Sequence, residues 1–297
     1  LSHEEAGKIA ARGWDIFVNV DGESCRRICP LPHAQLENIL TDRNEVERYD
    51  KISCLERFEA IKNLLTVEEA GVLVALLLHI SGGTLENSSL WDMIRSHALM
   101  SYSSDNFGPI WTTFKLREGQ SELASRMFQD AADRGLHYAF KTPIKSINDR
   151  SNGKVQLVEV KTSSEAVYRA RHVVSTVPLN VLHTIQFEPP LSSRRQEAIE
   201  IGHVNFMTKV HAEVEGSGLT SWNGVKYPNL LMFGYGDGLT ENGNAHIVGF
   251  GKDERGTYVP ELHPEQTIDA FEKLHPMKVK KMVFHLSTFE IKLANSG

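Results

Sequence analysis

The chain has 297 residues, 41% of them hydrophobic and 24% charged, with a formal net charge of -6. A chain of this length folds as one large domain or two ordinary ones, and typically buries about 75% of its unfolded surface. No apolar run approaches the ~18 residues of a membrane span. No acidic or basic block points to nucleic acid or to an anionic membrane. A soluble globular protein without a nucleic-acid partner is expected. The three cysteines, Cys25, Cys29 and Cys54, are too few and odd in number for a disulfide framework, and no apolar signal segment opens the chain. The expected compartment is therefore intracellular and reducing, either cytoplasmic or peroxisomal.

In chain order, Ser2 and Glu5 form a capping box ahead of a helix that runs to about Phe17. A loop from Asp21-Gly22 to Pro32 carries Cys25 and Cys29, which read as reduced loop thiols because a C-x-x-x-C without a second pair is a weak metal signal. Two further capping boxes, Ser53 with Glu56 and Thr66 with Glu69, open helices. The second of these is apolar nearly all round, implying a buried helix, and Ser81-Gly82-Gly83 ends it by allowing positive φ. Asn87-Ser88-Ser89 is a formal glycosylation acceptor, expected to be unmodified. Residues 90–100 read as a helix carrying Trp91, Ile94 and Met100, and there His97 is either a solvated residue or a pocket residue.

Gly119 precedes a helix at 121–134 that Gly135 closes, and a glycine at such a turn permits positive φ or close backbone approach. Residues 136–140, 154–161 and 166–175 read as short strands, the later ones forming a meander through Asn152-Gly153 and the turn at 162–165. Pro178 suits the start of a helix after Thr176-Val177. Pro189-Pro190 breaks the chain before a helix that stops at Gly202.

Residues 206–214 alternate: Phe206, Thr208, Val210, Ala212 and Val214 face one way, Met207, Lys209, His211 and Glu213 the other. Pattern alone makes Lys209 a solvent-facing lysine on a half-buried strand. Residues 234–238, Gly-Tyr-Gly-Asp-Gly, lack the G-x-G-x-x-G spacing and read as a turn between strands 229–233 and 246–250. Residues 281–285 read as a last strand. The histidines show no metal-binding spacing and no nucleophile-elbow motif is present, so no metal is expected.

Several of these runs, taken together, resemble the flavin-dependent amine oxidase family, fungal monoamine oxidases in particular. They are Asn19-Val-Asp-Gly22, Pro30-Leu-Pro-His33, residues 81–89, Val177-Pro-Leu-Asn-Val-Leu182, Gly202-His203 and Thr208-Lys-Val-His-Ala-Glu-Val214. Ser96 and His97 stand where the fungal enzymes carry tryptophans. The resemblance implies an α+β fold, with residues 1–114 and 203–297 as two parts of a substrate-binding domain and 115–202 as the middle segment of an FAD-binding domain. It implies FAD as cofactor, with Ile144, Thr176, Pro178 and Gly119 along it, and Lys209 as the lysine that reaches the flavin through a bound water. The implied reaction oxidises a small amine to an imine, which hydrolyses to an aldehyde, while O2 becomes H2O2.

A polyamine or amino-acid oxidase is the nearest alternative within that reading. Because G-x-G-x-x-G and the closing FAD and aromatic-cage segment of the family have no counterpart in these residues, a truncated chain is also implied. Weak FAD binding, association into a homo-oligomer, and a catalytically inactive paralogue or interaction module then become expectations.

Overall fold

The computed structural model describes residues 3–31, 43–111, 114–202, 207–252 and 258–285. The elements in order are α1 (His3–Val18), α2 (Arg43–Asp50), α3 (Cys54–Ile61), α4 (Val67–Ser81), α5 (Leu90–Leu99), α6 (Phe107–Trp111) and α7 (Gly119–Asp133). Strands β1 (Ile144–Asp149), β2 (Val158–Thr162), β3 (Val167–Ala170) and β4 (Gln186–Glu188) follow, then α8 (Ser193–Ile201). The chain continues with β5 (Thr208–Val214), β6 (Asn223–Val225), β7 (Leu231–Leu239), β8 (Ala245–Gly251), α9 (Pro264–Leu274) and β9 (Val279–His285). These elements form two compact units, one of residues 1–113 and 205–290, the other of 114–204 and 291–297.

In the first unit the helix starts follow local chemistry. Ser53 and Thr66 each accept a backbone N–H from the third residue of their helix, while Glu56 and Glu69 reach back to the cap N–H. These reciprocal bonds satisfy donors that a helix start otherwise leaves unpaired. Gly82 ends α4 with φ +64° and donates its N–H to the Leu78 carbonyl. Arg57 caps the far end of α1 by donating to the Phe17 and Ile16 carbonyls at 2.9 and 2.8 Å. The Ser2 capping box lies outside the described residues.

The all-round apolar character of α4 is explained by two different partners. Leu73 and Leu77 join Trp14 and Phe17 of α1 and Ile94 of α5 in one core, while Val74, Ala75 and Leu78 pack with Met232 of β7. Close packing of α1 on α4 depends on Gly13, where a Cβ would lie 3.3 Å from the Glu69 carbonyl. Cys25 is buried in the first core, its thiol donating to the Ile94 carbonyl at 3.7 Å and pushed up to about 12 mainly by burial. Cys25, Cys29 and Cys54 are all free thiols. His97 is not solvated. It is 1% exposed and accepts the Trp14 indole N–H at 3.0 Å.

Strands β6-β7-β8-β5-β9 form one antiparallel sheet with β5 between β8 and β9. Val210, Ala212 and Val214 of β5 share a core with Leu231, Ile247, Ala270 and Phe271, so α9 covers that face. Residues 234–238 are not a turn: they continue β7, and the reversal comes at 240–244. The glycines are explained by what lies against the strand. A Cβ on Gly236 would collide with the Leu219 carbonyl, and one on Gly234 would lie 3.3 Å from the Trp222 ring. Tyr235 and Asp237 alternate with them onto the opposite face.

The second unit holds the sheet β3-β2-β1-β4, with β4 parallel to β1 and the other pairs antiparallel. Residues 136–140 are not a strand. Tyr138 and Phe140 place their rings 4.8 and 5.3 Å from Phe128 of α7, an aromatic packing that replaces ladder pairing. The strand lies later, at β1. The expected strand over 166–175 stops at Ala170, and residues 171–178 run on exposed. Among the described residues no helix is long and apolar enough to cross a membrane.

Two glycines test the packing account. A Cβ on Gly249 would lie 2.8 Å from the buried Phe271 ring, whereas one on Gly7, in α1, meets nothing within 4 Å. Gly249→Ala is expected to lower stability by roughly 1–3 kcal/mol through overpacking, and Gly7→Ala to raise it by about 0.5–1 kcal/mol through helix propensity. Urea midpoints of the two variants check this, and equal shifts would contradict it.

Candidate active-site face of the five-stranded sheet

The burial of β5 alternates without a break. Thr208, Val210, Ala212 and Val214 are buried, and Lys209, His211 and Glu213 are partly exposed. Phe206, expected to begin the alternation, lies outside the described residues. Register then decides what each polar side chain meets. Lys209 stands opposite Phe250, His211 opposite Val248 and Glu213 opposite His246, all on β8. Directly opposed residues of antiparallel strands share a face and lie close enough to interact.

Lys209 rests on an aromatic platform. Its ammonium is 5.3 Å from the Phe250 ring centroid, within cation–π range. The Phe250 ring in turn lies 6.1 Å from both Phe233 and Tyr235 of β7. From α4, His79 adds its ring at 4.6 Å from Phe233 and 4.9 Å from Phe250. Burial holds the His79 imidazole at a pKa of about 4, so it is neutral at neutral pH. Its Nδ1 has no hydrogen-bond partner among the described residues.

Farther along the same face, His211 Nδ1 and His246 Nε2 are 2.8 Å apart. Asp237 Oδ2 lies 3.5 Å from His246 Nδ1. Glu213 accepts from the amides of Asn244 at 2.6 Å and Asn242 at 3.1 Å, bonds that hold its carboxyl below the usual carboxylate range. The face thus carries a lysine on aromatic rings, a neutral buried imidazole, a histidine pair and two carboxylates.

The other expected site residues belong to the second unit. Ile144 opens β1 opposite Thr162, with a register shift before Ser146. Thr176 and Pro178 lie in the exposed run after β3, and Pro178 caps a 3-10 turn over Leu179–Thr184 that leads into β4 beside β1. Gly119 begins α7 with φ +82°, and a Cβ there would meet nothing within 4 Å. The positive φ accounts for the glycine by conformation alone. Phe250, Phe233, Tyr235 and His79 were absent from the sequence expectations. Cross-strand register supplies the first three, and only tertiary packing of α4 supplies the fourth.

A model of the flavin containing amine oxidoreductase family matches residues 10–286. The chain belongs to that family. Membership makes it an oxidoreductase-family protein of flavoprotein type, and its mixed helices and sheets match the family fold. Nicotine dehydrogenase of Pseudomonas putida is 25% identical over 208 residues, an alignment covering 70% of this chain and 38% of that protein. A redesigned putrescine oxidase superimposes with a TM-score of 0.68 at 16% identity, over 93% of this chain and 60% of that one. Cyclohexylamine oxidase from Brevibacterium oxydans gives 0.63 at 14% identity, over 97% and 62%. The chain thus spans less than two thirds of these relatives.

The buried imidazoles give a pH signature. His79 and His97 both sit at about 4 instead of 6.5, burial being the first cause for each. Between those values the unfolded chain binds more protons, so stability is full above about pH 6.5 and falls as pH drops toward 4. His79→Phe keeps a ring between Phe233 and Phe250 and removes one ionisation. Its stability should fall less than that of wild type between pH 8 and pH 5, by on the order of 2 kcal/mol. Equal losses of unfolding free energy between the two pH values, measured by denaturant titration, would contradict this.

Proposed function

We propose that this chain carries the substrate side and part of the cofactor side of an FAD-dependent amine oxidase. The observation that carries the reading is Lys209, half-buried, held on the Phe250 ring and placed by strand register on the face opposite the α9 core. In this reading residues 1–114 and 203–297 belong to the substrate-binding domain and 115–202 to the FAD domain. The runs shared with fungal monoamine oxidases favour a small amine as substrate and O2 as oxidant.

Exposed apolar residues support the flavin reading. Val173, Val174 and Val177 are exposed beyond the end of β3, Val174 by 87%. An exposed apolar run of this kind is suited to being covered by a bound group or by further chain. Ile144, Thr176 and Pro178 would line the cofactor through backbone and apolar contact, with Gly119 setting the turn into α7. FAD, when bound, supplies the hydride acceptor and the reaction with oxygen.

The protein's own part is binding, orientation and proton handling. Phe233, Tyr235 and Phe250 would shield the reacting carbon from water and favour an apolar amine. Lys209 would hold a water molecule at the flavin through its ammonium N–H groups and move a proton at Nζ. The free thiols accord with a reducing compartment, cytoplasmic or peroxisomal. The exposed rings of Tyr138 and Phe140 on α7's flank favour association between copies.

The test is FAD retention through gel filtration, followed by amine-dependent bleaching and reoxidation in air. Lys209→Met is expected to retain flavin and to slow reoxidation by about 100-fold, the scale of a lost proton-transfer group. A colourless wild-type protein, or a variant that reoxidises at the wild-type rate, would overturn the reading.

A further inference from the structure

The histidine pair on the Lys209 face is not used by the reading above. The planes of the His211 and His246 rings are inclined by 19°, with centroids 5.0 Å apart and facing nitrogens 2.8 Å apart. Stacked rings cannot bring nitrogens that close, so the contact is edge to edge, a nearly in-plane hydrogen bond. Only one hydrogen fits between the two nitrogens. While the contact persists the pair is therefore neutral or singly charged, and it cannot take two extra protons.

Asp237 orders the pair. Its carboxylate beside His246 Nδ1 favours a proton on that nitrogen, which leaves His246 Nε2 to accept from His211 Nδ1–H. His211 Nε2 is then the basic end of the string. Lys209 lies two residues away on the same strand face, about 7 Å along the strand. Among the described side chains the other titratable groups on this face are Glu213, paired across the ladder with Lys281 of β9, Tyr235 of β7 and His79 of α4, and the register partner of Lys209 on β9 is His285. Asp237 and Glu213 thus supply compensating negative charge for a proton arriving on the pair, and His79 stays neutral.

We propose that His211, His246 and Asp237 form a one-proton relay beside Lys209 that receives the proton a cationic amine sheds before oxidation. This rests on the amine-oxidase reading. An aliphatic amine is cationic at neutral pH, its pKa being near ~10 as for a lysine side chain, and a cation does not readily give up a hydride from the adjacent carbon. In the step, one ammonium N–H bond breaks, its electron pair stays on the amine nitrogen, and one N–H bond forms on the pair. The proton then passes along the string to solvent water near Asp237, and no electrons change hands.

Nitrogen-15 NMR of the histidine side chains tests the relay without flavin or turnover. The expected result is Nδ1–H on both rings of the neutral pair and, on acidification, uptake of no more than one proton while the contact persists. His211→Gln and His246→Gln, each checked for an unchanged thermal midpoint, should restore ordinary single-site titration to the remaining ring. Two independent protonations in wild type would overturn the relay whether or not the protein oxidises amines.

In the flavin-loaded protein, His211→Gln should move the acidic limb of kcat/KM to higher pH, because only the free amine then reacts. A lower rate with an unmoved limb would mean a structural role and would also overturn the proposal. An intact one-proton titration in a protein without amine turnover would instead count against the amine-oxidase reading and, with it, the relay's role in catalysis.

Discussion

The structure of the first unit depends on the register of β5. This strand is an interior one, hydrogen-bonded to β8 on one side and β9 on the other. Val210, Ala212 and Val214 are committed to the core under Phe271. Because side chains alternate, that commitment forces Lys209, His211 and Glu213 onto the opposite face, and a slip of one residue would exchange them all. The strand-borne features of the candidate site follow from this constraint. Phe250 lies under Lys209 because the two are register partners, and His246 meets His211 and Asp237 because β8 bridges β5 and β7.

Glycine on β7 and β8 is the counterpart of this arrangement. Gly234, Gly236, Gly249 and Gly251 leave room on the core side for Trp222, Phe271 and the backbone of 219–220 and 230–231. The same strands present Phe233, Tyr235, Asp237, His246 and Phe250 on the other side. The core face is thinned at these four glycines to admit packing, and the other carries rings and charge. α4 joins the two helical and sheet parts of the unit, with Leu73 and Leu77 in the α1 core and Val74 and Leu78 against Met232.

Much of this was legible in the residues. The capping boxes of α3 and α4, the Gly82 stop and the alternation of β5 follow from local hydrogen bonding and period, which sequence carries directly. The Gly-Tyr-Gly-Asp-Gly run was not legible as a strand, because glycine signals a turn unless the backbone that packs against it is known. Residues 136–140 alternate as a strand does, yet their rings answer to Phe128 on α7. His97 could not be placed because its burial depends on Trp14, 83 residues away. Helix α9 is missing from the sequence expectations, although Pro264 at its start and the Phe271/Leu274 spacing carry its signal. Of the candidate site, Lys209 was visible through resemblance, while its aromatic platform required register between strands far apart in the chain.

The measurement that bears most directly on the central claim is an experimental structure of the protein with FAD bound. The account predicts that the flavin ring faces the side of β5 that carries Lys209, with Nζ linked to the ring through one water. A flavin lying elsewhere, or Lys209 turned away to solvent with Phe250 uncovered, would contradict it.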